Sequence, residues 1–164
     1  MLGHALKEKY SMEKLDAIDL QLLRILQENS NLTTKELAAK VNLSTTPVFE
    51  RVKRLEQEGF IRKYVAIIDA DKLNLGFVVF CNVKLKQLNT EIALDFTQAI
   101  RDIPEVTECY NISGHFDYLL KIHVANMKQY QEFIIHKLGQ LQSLGSLESM
   151  FVMDCPKRET GIPF

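Results

Sequence analysis

The apolar residues of this chain change their spacing near residue 60, and that change constrains the fold more than any other feature. Before it they recur at helical intervals. Ile18, Leu22, Ile25 and Leu26 fall at i, i+4, i+7 and i+8, and Val48, Val52 and Leu55 at i, i+4 and i+7. After it the clearest run alternates (Phe116, Tyr118, Leu120, Ile122, Val124), which is the period of a strand. Two periods in separate stretches predict an α+β protein, and 164 residues suffice for two small domains.

The first stretch predicts three helices. Asp16 is placed to cap a helix running to about Glu28, and Asn29–Asn31 ends it. Thr33 precedes Glu36 by three residues, the spacing of a capping box, and opens a short helix with Leu37, Ala38 and Val41 inward. Asn42–Ser44 makes a tight turn, and Ser44 stands as N-cap of a third helix. Pro47 lies in its first turn, where a missing N–H costs little, and Gly59 is its stop. The side of this helix opposite its apolar stripe carries Thr45, Thr46, Lys53 and Arg54, with Arg51 at the flank. On periodicity alone a plain three-helix bundle with a solvated charged face fits as well as a DNA-reading helix-turn-helix. The chemistry suits double-stranded DNA, because hydroxyls reach base edges and phosphates while arginines grip phosphate or guanine.

Charge leans the same way. Residues 1–63 hold eleven Lys and Arg against nine Asp and Glu, a net of +2, and the remainder holds nine against twelve, a net of −3. Together they give the chain's −1. No apolar run approaches a membrane span, and the opening MLGHALKEKYSMEKL has no apolar leader core. Cys81, Cys109 and Cys155 are odd in number and widely spaced, which favours reduced thiols in a cytoplasm.

Beyond Lys63, Tyr64–Asp69 is β-branched and predicts a strand, and Ala70–Gly76 a turn and hinge. The rest predicts strand, helix, strand, strand, helix, strand. The strands are Phe77–Lys86, Val106–Ser113, the alternating run and Leu147–Asp154; Val106, Glu108, Tyr110 and Ile112 share one side of the second. The helices are marked by Ile92, Phe96, Ala99, Ile100 and Ile103, then by Met127, Tyr130, Ile134, Leu138 and Leu141. This order makes a ferredoxin-like βαββαβ sandwich with both helices on one sheet face. On the other face Val78, Phe80, Leu119, Met150 and Val152 predict an apolar surface that needs a partner, most simply a second copy.

ISGHFDYLLK (Ile112–Lys121) sits at the turn between the middle strands. His115 and Asp117 alone make a poor metal site, which needs three or four ligands, and with Ser113 they lie too close on one hairpin to form a triad. The ordinary reading is a hairpin turned at Ser113–His115, with Asp117 bonding its own turn. No metal and no cofactor is expected.

Two long stretches then carry a family resemblance. LDAIDLQLLRILQENSNLTTKELAAKVNLSTTPVFERVKRLEQEGFIRKYVAIID, without a gap, and VTECYNISGHFDYLLKIHV resemble the Lrp/AsnC (leucine-responsive/asparagine, feast/famine) transcriptional regulators. The resemblance implies a winged-helix-like DNA-binding domain at 12–63, a strand linker and hinge at 64–76, and an effector-binding and oligomerisation domain at 77–155. It implies DNA contacts from Thr33, Thr34, Ser44, Thr45, Thr46, Pro47, Arg51, Lys53 and Arg54. It implies an amino-acid effector held between dimers near Asn111, Ile112, Ser113, Gly114, Asp117, Met127, Met150, Phe151 and Val152. The family's leucine regulator has tyrosine where Met150 stands here, which puts leucine itself in doubt. Self-association as a dimer and an octamer, and no membrane partner, go with the resemblance. The rival is an enzyme of similar architecture that decarboxylates a tetrapyrrole, to which His115 and His123 lend some support.

Overall fold

The computed structural model describes residues 15–164. The expected domain start at residue 12 and the leader reading of the first residues lie outside them. The described residues divide into two compact units, 15–66 with 158–164, and 67–157.

In the first unit three helices form where local signals ask for them: α1 (Ala17–Glu28), α2 (Thr34–Lys40) and α3 (Thr45–Gln57). Both α1 and α2 open with a complete capping box, Asp16 with Asp19 and Thr33 with Glu36, so two otherwise orphaned N–H groups are satisfied at each end. Asn42 takes a left-handed turn (φ 54°) between α2 and α3, and Gly59 ends α3 at φ 80°. Leu22, Leu26, Leu37, Ala38, Val41, Val48 and Leu55 meet in one core. Each large aliphatic side chain fully buried there contributes about 2 kcal/mol.

The segment 158–164 joins this unit by docking on α1. Gln27 exchanges two hydrogen bonds with the backbone of Ile162, at 2.9 and 3.1 Å. Arg24 Nε donates to the Phe164 carbonyl at 2.7 Å, and its guanidinium lies 5.5 Å from the Phe164 ring centre.

The second unit is a four-stranded antiparallel sheet: β1 (Phe77–Leu85), β2 (Val106–Asn111), β3 (Tyr118–Val124) and β4 (Leu144–Phe151), in the order β2-β3-β1-β4. Helices α4 (Thr90–Arg101) and α5 (Met127–His136) pack on one face. Phe96, Ile100, Tyr130 and Phe133 from the helices meet Val79, Cys81, Val83, Leu120, Ile122 and Val124 from the sheet. The expected ferredoxin-like sandwich is the fold observed.

Four details differ from the sequence expectation. Tyr64–Asp69 forms no strand; Val65, Ile67 and Ile68 are 60 to 72% exposed. Branched residues favour extended backbone, but a strand also needs a neighbouring edge to pair with. An irregularity between Val106 and Glu108 turns Val106 toward the helices while Glu108 and Tyr110 stay opposite, so these residues do not share a side. β4 begins and ends three residues earlier than expected, leaving Val152 past its end with its N–H on the Val78 carbonyl. Finally, the open sheet face is mixed. Phe80, Leu119 and Met150 share it with Asn82, the Lys121–Glu108 ion pair and Tyr110, whose hydroxyl bonds Glu108, while Val78 is buried at 6% exposure.

Candidate DNA-binding face and effector region

The N-terminal end of α3 presents Thr45, Thr46 and Pro47 to solvent. Ser44 stands at the N-cap, yet its hydroxyl makes no capping bond. Thr34 is half-buried, and Thr33 is engaged in its box, accepting from the Glu36 N–H at 3.3 Å and donating to the Glu36 carboxylate at 2.7 Å. Lys53 is exposed on the outer face of α3 and makes no ion pair among the described residues.

The two arginines of α3 are differently placed. Arg51 Nη1 contacts Asp16 at 2.6 Å and Asp19 at 2.7 Å, and Arg54 Nη2 contacts Asp19 at 2.5 Å. Asp19 is 1% exposed, so its carboxylate is a charge that α1 buries and α3 neutralises. Donating to the Asp19 and Asp16 carboxylates holds the Arg51 guanidinium protonated beyond its already high range. The Asp16 carboxyl is held below the usual range, chiefly by the Asp19 backbone N–H. Arg51 stands among the expected DNA contacts, and its ion pair with the buried Asp19 was not part of that expectation. The available signal was the box itself, which places a second acid at the third helical position of α1.

In the second unit, Asn111–Asp117 closes the hairpin between β2 and β3. The Ile112 N–H and the Asn111 side-chain amide both reach the Asp117 carbonyl, each at 3.0 Å. Gly114 at φ 123° turns the chain where a side chain would be strained. Asp117 turns its carboxylate toward β1, accepting from the Leu85 N–H at 2.8 Å and from Lys84 Nζ at 3.1 Å. The Leu85 N–H sits where the β1–β4 register shifts, so Asp117 ties the hairpin to an irregular point in the ladder. That N–H is the main reason the Asp117 carboxyl lies below the ordinary carboxylate range; Lys84 adds to it. His115 is exposed and packs edge-on against Phe116. Among the described residues no three His, Cys, Asp or Glu side chains are grouped to hold a metal ion.

The remaining expected effector residues lie elsewhere. Phe151 is on the helix side of β4, with ring centres 5.4 Å from Tyr130 and 6.0 Å from Phe77. Met150 points to the opposite face beside Asn82, its sulfur 4.0 Å from the amide nitrogen. Met127 opens α5 and is 43% exposed. β2 and β4 are the two edges of the sheet, three strand spacings or about 14 Å apart. The hairpin and the β4 residues are therefore not brought together within one copy. A separate apolar depression of about 420 Å³ is lined by Ile68, Leu73, Leu75, Pro104, Glu105 and His123, among others, and contains none of the expected effector residues.

Comparison with known proteins separates the regulator from the enzyme. Residues 15–62 match the family profile described as winged helix-turn-helix DNA-binding, and residues 78–162 match the Lrp/AsnC ligand binding domain. The chain belongs to the Lrp/AsnC family. It is 36% identical to the DNA-binding transcriptional activator DecR of Escherichia coli, over 91% of this chain and 98% of that protein. It is 37% identical to the leucine-responsive regulatory protein of Haemophilus influenzae, over 90% of this chain and 89% of that one. A transcriptional regulator from Neisseria meningitidis, solved as its complex with L-Met, superposes with a TM-score of 0.88 at 33% identity, covering 92% and 97% of the two chains. This Lrp/AsnC protein is thus a DNA-binding transcriptional regulator with a ligand-binding domain, and the decarboxylase alternative is set aside. No helix among its described residues is long and apolar enough to cross a membrane.

Proposed function

We propose that this regulator senses an amino acid at a site completed by two copies of the chain and answers by changing its assembly on DNA, in the cytoplasm. The observation that carries the reading is the division of the expected effector residues between the β2–β3 hairpin, near the Leu85 end of β1, and the end of β4, near Val79 and Phe80. Asn111–Gly114 and Asp117 stand at one corner; Met150, Phe151 and Val152 stand at the other, with Met127 at the same end of the sheet as Phe151. A molecule the size of an amino acid cannot span about 14 Å, so one ligand meets both groups only where one copy's hairpin approaches another copy's β4. Further support comes from the L-Met complex of the Neisseria relative.

The ligand's carboxylate is met by main-chain N–H groups of the hairpin, which Gly114 leaves open to close approach. Asp117, already held by β1, shapes that hairpin. Dimerisation uses the open sheet face, where Phe80, Leu119 and Met150 are apolar and flanked by polar groups, and dimers assemble further into an octamer. On this reading 12–63 serves DNA binding, 64–76 links the two parts, and 77–155 serves effector binding and assembly. On DNA, Thr33, Thr34, Ser44, Thr45, Thr46, Pro47, Lys53 and the free edge of Arg54 face the duplex. Arg51, held by two carboxylates, contributes by fixing α3. The effector acts by binding one assembly more tightly than another.

Titration calorimetry with the twenty amino acids, paired with light scattering and a gel shift on the protein's own promoter region, tests this. Expected is one or a few amino acids that bind, change the assembly size and shift the DNA pattern, with Asp117→Ala blunting the response but not DNA binding. Binding with full affinity to a dilute monomer would sink the shared site.

A further inference from the structure

The outer face of α3 carries one residue with no role assigned so far. Phe49 is 52% exposed and belongs to neither core. It lies one helical turn from Thr45, Thr46 and Lys53, so these four share a surface. Lys53 Nζ lies over its ring, 6.0 Å from the centre, which sets a cation on one face and leaves the other face to pack.

The chemistry left on this surface is unusual for a helix that reads DNA. Arginine is the commonest reader of base edges, through guanine, and both arginines of α3 are held by Asp16 and Asp19. What faces outward in the N-terminal half of the helix is two hydroxyls, a proline, a phenyl ring and the Glu50 carboxylate, and the ring is the one large apolar group among them. The N-terminal residues of a recognition helix are the ones that reach base edges. In the major groove the group that an apolar side chain recognises is the 5-methyl of thymine.

We propose that Phe49 is a specificity-determining residue that reads thymine by packing its ring on the 5-methyl group, with Lys53 holding the neighbouring phosphate. The inference rests on the DNA-binding role of this unit and adds the base chemistry that it selects. Water leaves both the ring and the methyl, and a base lacking the methyl loses that gain.

The test uses the full-length chain and the tightest duplex it recovers from a random-sequence pool. Each thymine of that duplex is replaced in turn by deoxyuridine, which removes the methyl and nothing else, and affinity is read by fluorescence anisotropy at constant salt. At one or more thymines the replacement weakens the wild-type protein about fourfold, the worth of one buried methyl. Phe49→Ala binds the thymine and uracil duplexes equally, and Phe49→Leu retains part of the preference. Because the ring lies outside the core, both variants keep the wild-type melting temperature. A wild-type protein indifferent to every replacement, or a Phe49→Ala protein with its preference intact, overturns the proposal and leaves DNA binding standing. Unchanged base preference with a smaller assembly in light scattering also overturns it, assigning the ring to a protein contact. Recovery of no duplex at all overturns the DNA-binding role together with the inference.

Discussion

Asp19 in the DNA-binding unit accepts from two guanidiniums on a different helix, whereas Asp117 in the ligand-binding unit accepts from a backbone N–H and a lysine that are neighbours in β1. Both carboxylates are buried, at 1% and 6% exposure. The first locks two helices by opposite charge and takes up part of the hydrogen-bonding capacity of two guanidiniums on α3. The second caps an irregular point in a ladder and sets the shape of a hairpin. A buried acid in one unit thus governs charge, and in the other it governs backbone geometry.

The largest effect should come from Asp19→Ala, which leaves two guanidiniums without their buried partner. We expect a loss of about 3 kcal/mol, measured by urea unfolding of the full chain; a loss no greater than that of Asp117→Ala would erase the contrast. Asp117→Ala strands the Leu85 N–H, and we expect about 2 kcal/mol by the same method. Its acid dependence sharpens the point. A carboxyl whose folded pKa is depressed contributes its full stability above the unfolded value near pH 4 and loses it as pH falls toward the folded value. Asp117→Asn should therefore melt closer to wild type as pH drops through that window, and an unchanged gap would show that Asp117 is not the group responsible.

A subtler difference is expected on DNA. Lys53→Ala should lower the slope of log affinity against log salt by about 1, whereas Arg51→Ala should leave the slope and lower the melting temperature. Equal slopes for the two variants would return Arg51 to the phosphate-contacting set. Smallest of all, Gly114→Ala should cost about 1 kcal/mol, since its Cβ meets open space and only backbone strain remains. A neutral result would mean the hairpin relaxes freely and is not pre-shaped by Asp117.

Features written within a few residues were legible. Asp16, Thr33 and Gly59 mark helix ends through bonds or dihedrals that involve only near neighbours. The alternation in β3 is buried at every second residue because both sheet neighbours keep its register. What escaped depends on residues far apart in sequence. Val106 changes face through a mismatch with β3 that its own alternation does not encode. The strand expected at Tyr64–Asp69 has suitable residues and no edge to join. Asp19 reads as a helix-capping acid, and only the packing of α3 on α1 adds Arg51 and Arg54, 32 and 35 residues away. The residues expected to meet an effector stand in separate stretches of the sequence, and how far the fold parts them depends on strand order and register.

The docking of 158–164 on α1 has a practical consequence for dividing the protein. The DNA-binding unit is discontinuous in sequence, so a cut in the hinge does not release it whole. A fragment ending at residue 66 would leave Arg24 and Gln27 facing water in place of the Ile162 and Phe164 backbone. Anyone preparing that unit by truncation should supply the peptide 158–164 in trans or graft it back by a short linker, and should compare melting with and without it before trusting the fragment's affinity for DNA.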